Sequence, residues 1–502
     1  MSETSDFSAL GDLIDGRFTL PVRVNGEIAL EDPGDLDARL GAFPFDVGAV
    51  DRAVAAARGA WPDWRDATLD VRATSLRRFG DVLRADAERL ARVIAREVGK
   101  PVWEARTEVQ AMLAKIDITL SQGLELVADR TFELAPGQVG RWRNPARGVL
   151  AVLGPFNFPG HLVHGHVVPA LATGNCVVVK PSEQTPATGQ LYAELALRAG
   201  FPPGVVNVVQ GDGASGAALA AHADLDGVLF TGSWSVGRRI LEATLDQPWK
   251  LVALEMGGKN GVLVCADADL DAAAAAIAFG ACVTAGQRCS ATSRVFAVRA
   301  VADALCGKLA RIFRGIVIGH SSDEGVFMGP LISRGARERH ARVLALAAAD
   351  GAERLVAGGP CDGPRRGHYV RPSLHRLRVH DRASAYQREE HFLPDAFVLA
   401  VDDVDEGLAL LDGTDFGLVA SVFTRERAVY ERAARTLRVG ALNWNTSTVG
   451  ASSKLPFGGV KRSGNDRPAG ATSTLYCTFP QANLEHAEPP SPASWPGFPS
   501  AS

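Results

Sequence analysis

The sequence predicts an α/β protein of more than one domain, built on parallel sheets, and three observations carry that expectation. Helical and strand patterns alternate along most of the chain. The strand-like runs are short, Val-rich and cut off by Pro or Gly. At 502 residues the chain exceeds the roughly 100–200 residues of one domain.

The elements follow in order. "AVDRAVAAARGAWPDW" (49–64) and "RRFGDVLRADAERLARVIAREVGK" (77–100) repeat apolar residues at helical spacing, so the first stretch reads as largely helical. "GVLAVLGPFNFP" and "NCVVVKPSEQTP" are β-rich, and "HLVHGHVVPALATG" between them reads as a helix ending at Gly174. "GVVNVVQG", the helix "ASGAALAAHAD" and "GVLFTGS" opening into "WSVGRRILEATL" continue the repeat of strand, loop and helix by which nucleotide-binding sheets are built. From about 257 to 435 the alternation resumes, opening on the Ala-rich helix "LDAAAAAIAFGAC", and predicts a second α/β domain. The Pro/Ser-rich end "AEPPSPASWPGFPSAS" reads as disordered.

Composition narrows the function classes. Apolar residues make up 46%, charged residues 22%, and the net charge is −4, with no basic stripe for nucleic acid. No run of about 18 apolar residues supports a membrane span, and the acidic start "MSETSDFSAL" is unlike a signal peptide. Seven scattered cysteines without a C-x-x-C pair argue against disulfides and zinc, and for a reducing cytoplasm. There a free cysteine is core filling or chemistry, which singles out Cys289 of "VTAGQRCSATSR".

Two stretches have phosphate-loop character. "GDGASG" (211–216) is a literal G-x-G-x-x-G, a weak signal in a chain with 52 glycines. "FTGSWSVG" (230–237) ends a strand in Thr-Gly-Ser and opens a helix at Trp234, Ser235, Val236 and Gly237. Gly232 lets the backbone approach an anion, while Ser233 and the free N–H groups of the first turn donate to a pyrophosphate; the same pattern also serves a plain N-capped helix.

"GPFNFPGHLVHGHVVPALATGNCVVVKPSEQTP", "FTGS", "LEMGGKN", "GQRC", "EEHF" and "PFGGVKRSG" stand in the order and spacing of one family. Over residues 45 to 485 the chain resembles the NAD(P)-dependent aldehyde dehydrogenases. "EVGKPVWEARTEVQAMLAKI", "NFPGHLVHGHVVPAL", "NWNTSTVGASS" and "SGNDRP" are similar to the N-succinylglutamate 5-semialdehyde dehydrogenases of bacterial arginine catabolism. The resemblance implies Cys289 as nucleophile, forming a thiohemiacetal that becomes a thioester as hydride leaves. It implies Asn157 as alkoxide donor and Glu255 as the base for thioester hydrolysis, a glutamate that members passing the acyl group to coenzyme A generally lack. Lys180 and Glu183 match the adenosine-ribose pair, where a carboxylate favours NAD over a 2′-phosphate, and Glu390 and Phe392 match the nicotinamide-ribose and ring contacts.

The resemblance also implies a division of the chain: 1–138 as the helical N-terminal part of the NAD-binding domain, 139–149 as an oligomerisation segment, and 150–256 as the Rossmann-type core. The catalytic domain is expected over 257–440, a return segment with an oligomerisation strand over 441–485, and a disordered tail over 486–502. A strand pair near 140–148 and 474–483 would complete a partner's sheet, so a homodimer or higher homo-oligomer is expected. Departures from the pattern stand at Leu393, where the family has glycine and a displaced loop is expected, and in "NTSTVGASSKLP". Lys454 and Arg467 are the candidates for substrate anion contacts. His161, His164 and His166 do not share one helical face, so no metal is expected. A dehydrogenase of another semialdehyde or uncharged aldehyde, and a fold kept for binding without turnover, stay open.

Overall fold

The computed structural model describes residues 7–488 together with 496, 497 and 499. From 489 on, apart from those three, the tail expected over 486–502 lies outside the described residues.

Two seven-stranded sheets organise the chain. In the first, Val149–Leu153, Cys176–Lys180, Val206–Val208, Gly227–Gly232 and Leu251–Met256 run parallel, with the first of them between the second and the fourth. That is the 3-2-1-4-5 order of a doubly wound sheet, whose crevice opens where the strand order reverses, between Val149–Leu153 and Gly227–Gly232. The continuous apolar runs have their cause here: helices cover both faces, so every residue of Val149–Leu153 and Cys176–Lys180 is buried. Local signals set the helix ends. Pro186 opens Pro186–Ala199 and Gly200, at φ +75°, closes it; Asp212 caps Gly213–Ala221 by accepting from Ala214 N at 2.8 Å.

In the second sheet Asn260–Val264, Thr292–Val298, Val370–Leu377, Asp395–Val401, Val419–Phe423 and Ala441–Trp444 are parallel, and Glu353–Pro360 is an antiparallel edge. The chain crosses from one sheet to the other through Gly257, Gly258 and Lys259. Glu255 therefore ends the first sheet while Cys289 sits in a loop entering the second, and the crossing brings the two together.

The first stretch is less uniformly helical than its periodicity suggests. Ala49–Asp66, Leu69–Ala85, Ala87–Val98 and Val102–Ile118 are helices, but Asp12–Ile14 and Arg17–Thr19 form a hairpin that extends the first sheet beside Val206–Val208. Strands of three residues are too short to show a period of two. Arg130–Ala135 is likewise a strand, turning at Gly137 (φ +79°) into Gln138–Arg143, which also pairs with Gln481–His486. The pair expected near 140–148 and 474–483 thus lies at 138–143 and 481–486, and Ser473–Tyr476 is a short helix.

Candidate active site

The crevice at the first sheet's switch point is a cavity of 560 Å³. Asn157, Lys180, Glu183, Gly232, Ser233, Val236, Glu255, Cys289, Glu390 and Phe392, all singled out from the sequence, line it. Lys180 Nζ lies 3.1 Å from Glu183 Oε2, and Glu183 keeps 48% of its side chain exposed at the mouth. Ser233 caps Trp234–Ala243, accepting from Val236 N. The other three residues of that motif do not line the cavity. Trp234 packs on the first core with Arg462 over its ring, Ser235 Oγ bonds Ser233 Oγ at 3.0 Å, and a Cβ on Gly237 would stand 2.4 Å from Met256 Sδ. Gly237 therefore lets the helix lie against the strand carrying Glu255. Gly213 and Gly216 of "GDGASG" line the cavity as well.

Cys289 is half-buried and borders a second cavity of 250 Å³, so the two spaces meet at its thiol. Its loop is held in an unusual shape. Thr284 (φ +56°), Ala285 (+50°) and Gly286 (+68°) are successive left-handed residues, each non-glycine costing about 1–3 kcal/mol. Buried Glu104, on Val102–Ile118, offsets that strain: it accepts from Thr284 N at 3.2 Å and from Thr284 Oγ1, and pairs with Arg288 Nη2 at 2.9 Å. From the other side Asn260 Nδ2 donates to Cys289 O at 2.7 Å and Ala291 O at 3.0 Å. A Cβ on Gly258 would stand 2.7 Å from Cys289 O, so only glycine admits this approach.

Burial pushes the Cys289 thiol pKa up, as do the Glu255 and Glu390 carboxyls, while Arg288 and the Ser290 amide oppose them. Glu255 is buried and neither carboxyl oxygen has a partner in hydrogen-bonding geometry; burial raises its pKa well above the carboxylate range, and the nearby Gly459 N–H, outside that geometry, opposes only part of the shift. Both groups therefore hold their protons more firmly than a free thiol and a free carboxylic acid do, and each raises the other's pKa when ionised. Asn157 Nδ2 donates to Gln287 O at 2.9 Å, which uses one of its two N–H groups, and Lys100 Nζ anchors Asn157 O at 2.6 Å.

Glu390 accepts from Gly258 N at 2.9 Å; burial lifts its pKa to about 7 against Lys259 and Arg339. Phe392 is the left-handed residue of its loop (φ +59°) and packs edge-on to Phe156 at 5.8 Å. Leu393 therefore needs no positive φ: it is buried in the second core, its backbone against Gly286. The loop displacement expected from losing glycine does not arise at that position, because the special backbone belongs to its neighbour. Lys454 and Arg467 are not brought to either cavity: both are exposed, while Ser452, Ser453 and Pro468 beside them line the smaller one. The histidines have separate partners. His164 meets Tyr192 OH, and His166 meets Tyr476 OH and Thr231 Oγ1. Glu104 and Asn260 carry no signal of their own in the sequence, although both sit inside motifs of the site, "KPVWEAR" and "LEMGGKN".

A thiol, a carboxyl group that can take its proton once ionised, an amide donor and a crevice at the switch point of a doubly wound sheet, meeting on one cavity wall, suit covalent chemistry on a carbonyl. Comparison with known proteins agrees. Residues 33–481 match the model of the aldehyde dehydrogenase family. The chain is 40% identical over 445 residues to an N-succinylglutamate 5-semialdehyde dehydrogenase of Novosphingobium aromaticivorans, covering 88% of this chain and 93% of that one. It is 42% identical over 450 residues to N-succinylglutamate 5-semialdehyde dehydrogenase 1 of Caulobacter vibrioides, with coverage of 88% and 93%. Among solved structures, an NAD-dependent aldehyde dehydrogenase from Sinorhizobium meliloti superposes with a TM-score of 0.92 at 32% identity, covering 97% of this chain and 96% of that one. A mutant indole-3-acetaldehyde dehydrogenase of P. syringae, in complex with NAD+ and IAA, superposes at 0.90 with 30% identity, covering 95% and 96%. The chain belongs to the aldehyde dehydrogenase family and is an enzyme that oxidises aldehydes with an NAD(P) cofactor.

Proposed function

We propose that this enzyme oxidises N-succinylglutamate 5-semialdehyde to N-succinylglutamate in arginine catabolism, with NAD as cofactor, in the cytoplasm. The observation that carries the reading is the sharing of Cys289 by two cavities, one with the Lys180–Glu183 mouth and one lined by polar and cationic side chains. The named activity of the relatives supports the substrate. Residues 150–256 hold the cofactor and 257–440 supply the nucleophile.

Glu255 takes the thiol proton, and the Cys289 sulfur attacks the aldehyde carbon, placing negative charge on the former carbonyl oxygen. The free N–H of Asn157 and the Cys289 backbone N–H stabilise that charge. A nicotinamide held beside Glu390 and Phe392 would supply the hydride acceptor needed for the adduct to become a thioester. Once its first proton has passed to solvent, Glu255 draws a proton from water as the water oxygen attacks the thioester carbon; the C–S bond breaks, the acid is released, and the departing sulfur takes that proton back from Glu255 as the thiol. Glu183 takes the adenosine ribose hydroxyls, the first turn after Gly232 and Ser233 takes the pyrophosphate, and Glu390 and Phe392 fix the nicotinamide side. The pieces fit such a ligand: Glu183 is exposed where a ribose would enter, and Glu390 and Phe392 line the same cavity as Cys289.

The reading is tested by NADH formation with N-succinylglutamate 5-semialdehyde beside a panel of semialdehydes and neutral aldehydes. Preference for the succinylated compound is expected; activity on other aldehydes alone overturns the substrate, and none at all overturns turnover. Asn157→Ala is expected to lower kcat by about 10²–10³-fold with little change in cofactor binding, measured by steady-state kinetics and fluorescence titration. Glu183→Gln is expected to raise the NADP-to-NAD ratio of kcat/KM by about tenfold, because it removes a charge facing the 2′ position.

We also read the three-stranded sheet as an oligomer contact. Its strand Arg130–Ala135 is exposed throughout, with Phe132 and Leu134 presenting apolar surface at 48% and 58% exposure, an edge that a second copy would cover.

A further inference from the structure

The smaller cavity beyond Cys289 has a chemical bias that the catalytic residues leave unused. Thr107, Lys115, His161, Arg288, Ser290 and Ser452 are among the residues on its wall. Its acid, Glu108, is committed elsewhere: its carboxylate pairs with Lys100 Nζ at 2.8 Å and accepts the Gly160 and His161 amides at 2.9 and 3.0 Å. Lys115 is 2% exposed, and its ammonium donates only to neutral acceptors, Gly470 O at 2.7 Å and Ser473 Oγ at 2.5 Å. Among the described residues the third of its N–H groups has no partner and no carboxylate pairs with its charge. Arg288 spends Nε on Thr284 Oγ1 and Nη2 on Glu104, with its guanidinium over the Phe158 ring, and leaves Nη1 free. His161 Nδ1 is buried there without a partner.

A cation buried without a counter-ion is costly, and desolvation draws the Lys115 pKa down to about 8. An anion entering the cavity reverses that cost, and the cavity shares Cys289 with the cofactor crevice. We propose that Lys115, assisted by Nη1 of Arg288, is the specificity-determining anchor that binds a carboxylate of an anionic aldehyde while its carbonyl sits at Cys289. The inference rests on the acidic-semialdehyde reading and deepens it by naming what recognises the charge. It also moves that role from the exposed Lys454 and Arg467 to a buried pair.

The test compares kcat/KM for N-succinylglutamate 5-semialdehyde with that for hexanal, in wild type, Lys115→Gln and Lys115→Arg. The expected result is an acid-to-neutral selectivity ratio about 50-fold lower in Lys115→Gln, carried mainly by KM, with partial recovery in Lys115→Arg. An unchanged ratio, whether both substrates are lost together or neither, overturns the proposal and makes Lys115 a structural tie to residues 470–473. Should both variants fail to fold, wild type decides: glutarate competes with hexanal and glutaramide does not, whereas glutarate that fails to compete overturns the anchor. A wild type that prefers hexanal to the succinylated semialdehyde sinks the substrate assignment separately, and the glutarate competition still decides the anion site.

Discussion

Cys289→Ala is expected to reduce aldehyde-dependent NADH formation by about 10⁴-fold or more while cofactor binding persists. The size follows from the position. The residue is shared by the two cavities, and the other groups there are poor substitutes for the sulfur: the Glu255 carboxylate is a far weaker nucleophile than a thiolate and the Asn157 amide is weaker still. The left-handed run before it and the Asn260 contacts after it are made by backbone atoms, so alanine keeps the loop. Thiol labelling with iodoacetamide offers an independent reading, since the other cysteines are buried apart from Cys361. A variant retaining a tenth of wild-type turnover would remove Cys289 from the chemistry.

Glu255→Gln is expected to lower the steady-state rate by about 10²–10⁴-fold. A residual stoichiometric burst of NADH, followed by slow turnover, is the signature if thioester hydrolysis is the step most impaired; rapid-quench detection of the acyl-enzyme checks it. Glutamine matches the shape and leaves no buried carboxyl to desolvate, so the fold is retained. The pH profile gives a second readout. A base works when ionised, and burial raises the Glu255 pKa, so wild-type kcat rises with pH through a range above ordinary carboxylates and is lost below it. The variant loses that limb. An unaltered limb would assign it to the Cys289 thiol, whose pKa is also raised.

Much of this arrangement was legible because its signals are local. The strands 149–153 and 176–180 announce themselves as unbroken apolar runs, and Pro186, Gly200 and Asp212 mark helix ends within a few residues. Cys289, Glu255 and Asn157 lie in short motifs, and the fold turns three distant stretches into one cavity wall. What stayed hidden depends on contacts across the chain. Glu104 and Lys115 look like solvated charges on an ordinary helix; residues 284–288 and 470–473, more than 150 positions away, bury them. Lys454 and Arg467 carry the right charge, but their loops turn them outward. Leu393 looked like strain because the sequence shows which residue changed, not which one carries the positive φ.

The clasp of Glu104 on Thr284 and Arg288 ties the reactive loop to a helix contributed by the opposite half of the molecule. Three left-handed residues have no reason to hold that shape before the halves dock. The placement of Cys289 is therefore a product of assembly: a partly unfolded chain carries the same cysteine without the Glu255 carboxyl and the Asn157 amide around it, and the three groups share one cavity wall only when both lobes have closed on each other.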